Sequence, residues 1–161
     1  MKTRLLFLAA LAFTLLGLTA CTYDFPLTTK PTHPIDPRLL GDWVSYDPDD
    51  QQVRPLHVRR LDDATYIIAF DGDLYRVSHS DLAGTAFVSV QNLQAGDDYG
   101  KFAYCTWTLS TDGRQLAVQT VQSRVVSGDL KDAAAAQQLI SANLANPALL
   151  GDPVVFTPKK R

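Results

Sequence analysis

The sequence predicts a mainly β fold: an antiparallel up-and-down meander closing into a small barrel, with one C-terminal helix before the last strand. Three observations lead there. Short apolar runs recur between Asp42 and Val126, each bounded by Asp, Gly or Pro, the punctuation of tight turns. All 17 acidic residues are Asp and none is Glu. Aspartate hydrogen-bonds its own local backbone and favours turns. Only Asp129 to Ala145 carries helical spacing instead. The alternative arrangement is an open sheet or a β-sandwich packed on that helix.

The elements follow in order. Asp42 to Tyr46 reads as a first short strand, followed by an acidic turn at Asp47-Pro48-Asp49-Asp50. Val53 to Leu61 reads as a second, with Pro55 marking an edge or a bulge, because proline cannot donate to a sheet ladder. Asp62-Asp63 turns into Thr65 to Phe70. Asp71-Gly72 is a strong two-residue hairpin signal, since both positions tolerate φ > 0. It returns into Asp73 to Ser78. Phe87 to Leu93, Lys101 to Leu109 and Gln115 to Val126 come next, the last two joined through Thr111-Asp112-Gly113. The helix at Asp129 to Ala145 has four consecutive alanines and a stripe of Leu130, Ala133, Ile140 and Leu144. Asp129 or Ser127 caps its start, and Asn146-Pro147 stops it. Val154 to Phe156 is the final strand.

Gly41-Asp42-Trp43 at the first strand resembles the Gly-x-Trp signature of lipocalins, in which the tryptophan closes the bottom of an eight-stranded barrel. The strand series and the late helix are similar to that family over residues 38–157. Seven strands precede the helix, where the family has eight. The resemblance implies structural roles for Gly41 and Trp43. The plainer reading is that Trp43 fills a core.

The first twenty residues carry a different signal. Lys2 and Arg4 precede an apolar run from Leu5 to Leu16, about the length of a secretory h-region. A spanning helix needs roughly 20 apolar residues, so the run is too short to cross the hydrocarbon core. Leu18-Thr19-Ala20-Cys21 then resembles the lipobox of bacterial lipoproteins. That resemblance implies cleavage before Cys21 and a diacylglyceryl group on its thiol, usually with a third acyl chain on the new amine. One chain holds a protein to a membrane only marginally, whereas two or more anchor it stably. In the same family an aspartate after the cysteine retains the protein in the inner membrane. Thr22 stands there, which points to the outer membrane, facing the periplasm.

Residues 1–20 are therefore expected to be a cleaved signal peptide and 38–161 a single β-rich domain. Cys21 and the segment to residue 37 read as a lipidated, proline-rich tether. Pro26, Pro31, Pro34 and Pro37 favour extended chain. At about 3.1 Å per residue, the sixteen residues 22–37 would hold the domain up to roughly 50 Å from the lipid. Tyr23 and Phe25 rest either on the bilayer or on the domain.

Removing 20 of 161 residues leaves 141, enough for one modest core. Without Lys2 and Arg4, 13 basic residues face 17 acidic ones, a balance of −4 that argues against nucleic acid as a partner. With Cys21 consumed by lipid, Cys105 has no partner for an intramolecular disulfide. It lies in a strand-like run and reads as a small buried hydrophobe.

No catalytic constellation stands out, and the chain reads as non-enzymatic, with no cofactor. His33, His57 and His79 lack metal-ligand spacing, so no metal is expected. His79-Ser80-Asp81 groups three catalytic residue types, but neighbours on a strand point to opposite faces. Asp71-Gly72-Asp73 reads as a turn before it reads as a calcium ligand set. Arg59-Arg60 reads as a solvated pair. Two functions remain. One is a non-catalytic interaction module that meets another envelope protein. The other, implied by the lipocalin resemblance, is a carrier of a small apolar ligand, with Tyr66, Ile68, Phe70, Val88, Val90 and Trp107 lining its cavity.

Overall fold

A computed structural model describes residues 22–47 and 51–160. The segment read as a signal peptide and lipobox, with Cys21, lies outside the described residues, as does part of the acidic turn, 48–50.

Eight antiparallel strands form a closed barrel in sequence order. They are β1 (Gly41–Tyr46), β2 (Val53–Arg60), β3 (Thr65–Phe70), β4 (Asp73–His79), β5 (Phe87–Asn92), β6 (Phe102–Leu109), β7 (Leu116–Thr120) and β8 (Val154–Pro158). The helix α1 (Ala133–Ala142) lies between β7 and β8. The expected strand boundaries hold within a residue or two, except at β7. That strand stops at Thr120 rather than Val126, because Val121 bridges to Leu150 and the Gln122 N–H donates to the Leu149 carbonyl. The eighth strand, which the resemblance places before the helix, comes after it. β8 pairs with β7 through Leu116↔Phe156 and with β1 through Val44↔Thr157, closing the sheet.

Pro55 sits where β2 has a neighbour on one side alone. It faces Val44 of β1, while pairing with β3 begins at Leu56. The missing N–H therefore costs no ladder bond. Asp71 and Gly72 both adopt positive φ, 53° and 89°, as the β3–β4 hairpin requires.

Alternation along the strands builds two cores. The inward set includes Trp43, Leu56, Val58, Tyr66, Ile68, Val77, Val88, Cys105, Trp107, Leu116 and Phe156, in one contiguous cluster. A second cluster lies outside the barrel, on the outer face of β5 and β6. Phe87 and Tyr104 point out there and are covered by Tyr23, Leu27, Ala136, Ile140 and Leu149. Each large aliphatic side chain buried in this way stabilises the fold by about 1.5–3 kcal/mol.

The tether reading is corrected by this second core. Tyr23 is 1% exposed and Leu27 0%, so the segment is docked, not free. Tyr23 bridges to Phe102, the Leu27 N–H donates to Ser89 Oγ (2.8 Å), and Gln137 Nε2 donates to the Leu27 carbonyl (2.7 Å). The chain then crosses one end of the barrel. The Thr32 N–H donates to the His79 carbonyl and the Ile35 N–H to that of Asp63. A 3-10 turn, Pro37–Leu39, delivers Leu39 into the barrel interior. The folded part thus starts at Thr22 among the described residues, not at Arg38. Prolines made the segment extended, but its apolar side chains gave it somewhere to pack.

The helix is shorter than its pattern suggested. Asp132 is its N-cap, accepting from the Ala135 N–H at 2.8 Å, because Asp129 is engaged with Ser127 in a preceding turn. Ala136 and Ile140, one turn apart, are its buried face, with Leu130 packed at the margin. Leu144 falls beyond the helix and is 36% exposed.

Candidate functional site

The strand directions give the barrel two unlike ends. Where β1 begins and β2 and β8 finish, the connections 61–64, 80–86 and 110–115 also lie. At the other end are the connections 47–52, 71–72 and 93–101.

The first end holds a surface groove of about 650 Å³, bordered by Gly41, Asp42, Arg59, Arg60, Lys159 and Lys160. Its position follows from register. Trp43 points inward and donates from Nε1 to the Leu39 carbonyl (2.9 Å), so Asp42 must point outward. Gly41 precedes it at φ 149°, a left-handed conformation that side-chain-bearing residues rarely adopt. His57 faces Asp42 directly across β1 and β2, and Arg59 lies two residues further on. The Lys159 N–H donates to the Asp42 carbonyl, which brings the end of β8 alongside.

One carboxylate therefore sits among several cations. His57 Nδ1 lies 2.9 Å and Arg59 Nη2 2.5 Å from Asp42 Oδ1. The hydrogen bond from His57, then that from Arg59, holds the Asp42 carboxyl well below its usual range, at about 2. Arg60 pairs with Asp63. Lys159 and Lys160 have no carboxylate partner among the described residues. Arg59-Arg60 is solvated, as expected, but it also shares a groove with Lys159 and Lys160, which follow it by a hundred residues. Charge balance over the chain hides such a cluster. The signal for it was two basic pairs, each at the end of a strand.

The six residues read as a ligand cavity do share the barrel interior. Tyr66 and Trp107 meet edge to face at 5.1 Å, and Phe70 meets Phe156 at 5.7 Å. Ile68 and Val88 are buried in the same cluster, with Phe70 and Val90 packed at its margin. Above Tyr66, the Asp36 N–H donates to its hydroxyl at 2.5 Å, so the crossing segment lies over this end.

His79 ends β4 at the same rim, its ring 5.3 Å from that of Trp107. Burial pushes its pKa down. Asp81 accepts from or pairs with His33 of the crossing segment at 2.5 Å, while His79 Nδ1 stays 3.8 Å from the other carboxylate oxygen. Ser80 faces the opposite way, toward Ser89 Oγ at 2.8 Å, so the three neighbours do not converge. Cys105 is buried, and burial raises its thiol to about 11. Asp73 accepts from its neighbour Tyr75 within the hairpin.

Comparison with models of known families, with curated proteins and with solved structures finds no match.

Proposed function

We propose that this chain is a lipid-anchored cell-envelope protein, held by acyl groups on Cys21, whose non-catalytic role is to grip an anionic partner in the groove of β1, β2 and β8. The groove carries the reading. Among the described residues, Arg59, Arg60, Lys159 and Lys160 line it with Asp42 as the one lining carboxylate, Asp63 pairing with Arg60 from outside, although the chain as a whole is acidic. Clustered like charge of this kind recruits opposite charge and speeds its encounter. An acidic stretch of another envelope protein fits that chemistry. The outer membrane, facing the periplasm, is the proposed location.

The lipocalin-like carrier is the second reading, and the closed eight-stranded barrel favours it. Contact among the rings of Tyr66, Trp107, Phe70 and Phe156 supports a barrel filled by its own side chains, and with it the interaction module.

The test uses a fluorescent oligoglutamate peptide and a chain starting at Thr22. Binding should appear at low ionic strength, weaken with salt, and be lost in the double variant Arg59→Glu, Lys159→Glu. No binding at low salt, or equal binding by the variant, would overturn the groove as the interaction site.

A further inference from the structure

We infer that the end of the barrel opposite the groove is a footing that rests on the membrane surface, in the headgroup layer of a zwitterionic, amine-bearing bilayer. The inference rests on the lipid-anchor reading and adds an orientation to it.

Two independent observations meet at this end. The first is where the chain leaves the barrel. Tyr23 exchanges both backbone hydrogen bonds with Phe102, the first residue of β6, at 2.8 and 2.7 Å. Thr22 Oγ1 donates to Asp98 in the β5–β6 connection, and Lys101 Nζ pairs with Asp24 at 2.8 Å. Thr22, the first described residue, is thus held beside that connection, and an anchor attached one residue earlier in sequence is tied to this end of the barrel by a single residue's span, about 3.8 Å. A docked segment leaves it no slack to reach the groove end, which lies on the order of 20 Å away along tilted strands of 5–8 residues.

The second observation is what this end exposes. Tyr46 is 63%, Val53 63% and Tyr99 65% exposed, with Leu74 at 41% and Val154 at 47%. Tyr46 and Val53 are cross-strand partners flanking the β1–β2 connection. Leu74 is the second residue of β4, Val154 opens β8, and Tyr99 stands in the β5–β6 connection. Apolar groups thus ring one end of the barrel, and two are tyrosines, which favour the membrane–water interface because one edge is apolar and the other wet. At the groove end, Leu61 is the large apolar side chain similarly exposed among the described residues.

Charge selects the lipid. Among the described residues, Asp24, Asp47, Asp71, Asp73, Asp97 and Asp98 lie at the same end, against the two cations Lys101, which pairs with Asp24, and Arg54, which pairs with Asp47. Such a rim is repelled by anionic phospholipid and is matched by headgroups that carry an ammonium. The groove, by the same geometry, faces away from the bilayer, so the partner it grips is not the headgroup layer that holds the anchor.

The experiment uses the full lipidated protein in phosphatidylethanolamine/phosphatidylcholine vesicles containing lipids brominated near the headgroup. Its own tryptophans, Trp43 and Trp107, are buried in the barrel and supply a constant background. Tyr99→Trp and Tyr46→Trp should be strongly quenched, and Leu61→Trp should not. Mass spectrometry of the mature protein comes first. A chain without acyl groups would overturn the anchor reading and the footing with it. A lipidated chain in which Leu61→Trp is quenched as strongly as Tyr99→Trp, or in which none is quenched, would overturn the footing alone.

Discussion

The ring of Tyr23 lies flat on the ring of Tyr104, with centroids 4.2 Å apart and planes within 9° of parallel. The Tyr23 hydroxyl also donates to the Val126 carbonyl at 2.8 Å. This pair joins the first described residues to the outer face of β6, and it makes the segment before the barrel part of the fold.

Tyr23→Ala should therefore cost about 3–5 kcal/mol, the range for deleting a buried aromatic ring. Urea denaturation of a chain starting at Thr22 would measure it. A cost below about 0.5 kcal/mol, typical of a surface change, would mean that the segment hangs free in solution.

The helix gives a paired test. Ile140 is fully buried in the second core, whereas Leu144 stands outside it, 36% exposed. Ile140→Asp should destabilise the fold by several kcal/mol, because it places a carboxylate in an apolar contact. Leu144→Asp should melt within a degree or two of the parent. Equal effects would show that the helix does not pack by its Ala136/Ile140 face.

His79 predicts an acid-sensitive window. Burial lowers its pKa in the folded chain, Asp81 and Asp36 pull it upward, and His33 pushes it further down. The unfolded chain then binds this proton more readily than the folded one. Stability is thus complete above the ordinary value of 6.5 and is lost as pH falls below it. Melting temperature should drop between about pH 6.5 and pH 5, before carboxylates titrate. His79→Phe keeps a ring beside Trp107 and should flatten that limb of the profile. An unchanged profile would assign the drop to other groups.

Cys105 reports on opening. Its thiol is buried and holds its proton up to about pH 11, so it should react slowly with a disulfide reagent in the folded state. In a chain starting at Thr22 it is the only thiol. Labelling should rise sharply in step with unfolding in urea. Rapid labelling in buffer would show that the barrel opens on one side of β6 under native conditions.

The barrel was legible because its turns were. Asp71-Gly72 and the alternating apolar runs marked the strand positions. Two things were hidden. The packing of Tyr23 and Leu27 depends on an outward apolar patch, Phe87 and Tyr104, that belongs to strands sixty to eighty residues away. Prolines signal extension and are silent about what the extended chain touches. The basic groove was hidden for a related reason. Arg59-Arg60 and Lys159-Lys160 become neighbours only when β8 closes on β1, and no local pattern encodes that closure.

Closure by β8 also governs how this chain can fold. Val44 must find Thr157 across more than a hundred residues, so the decisive pairing is among the most distant contacts the molecule makes. Pairings of that span form slowly, because the intervening chain loses its freedom before any contact repays it. Until the last strand arrives, β1 and β7 each present a bare edge, open to adding strands from other molecules. A chain folded through β7 and the helix is therefore a cylinder with a slit. Its final residues are the seam, and a chain that loses them should aggregate rather than merely weaken.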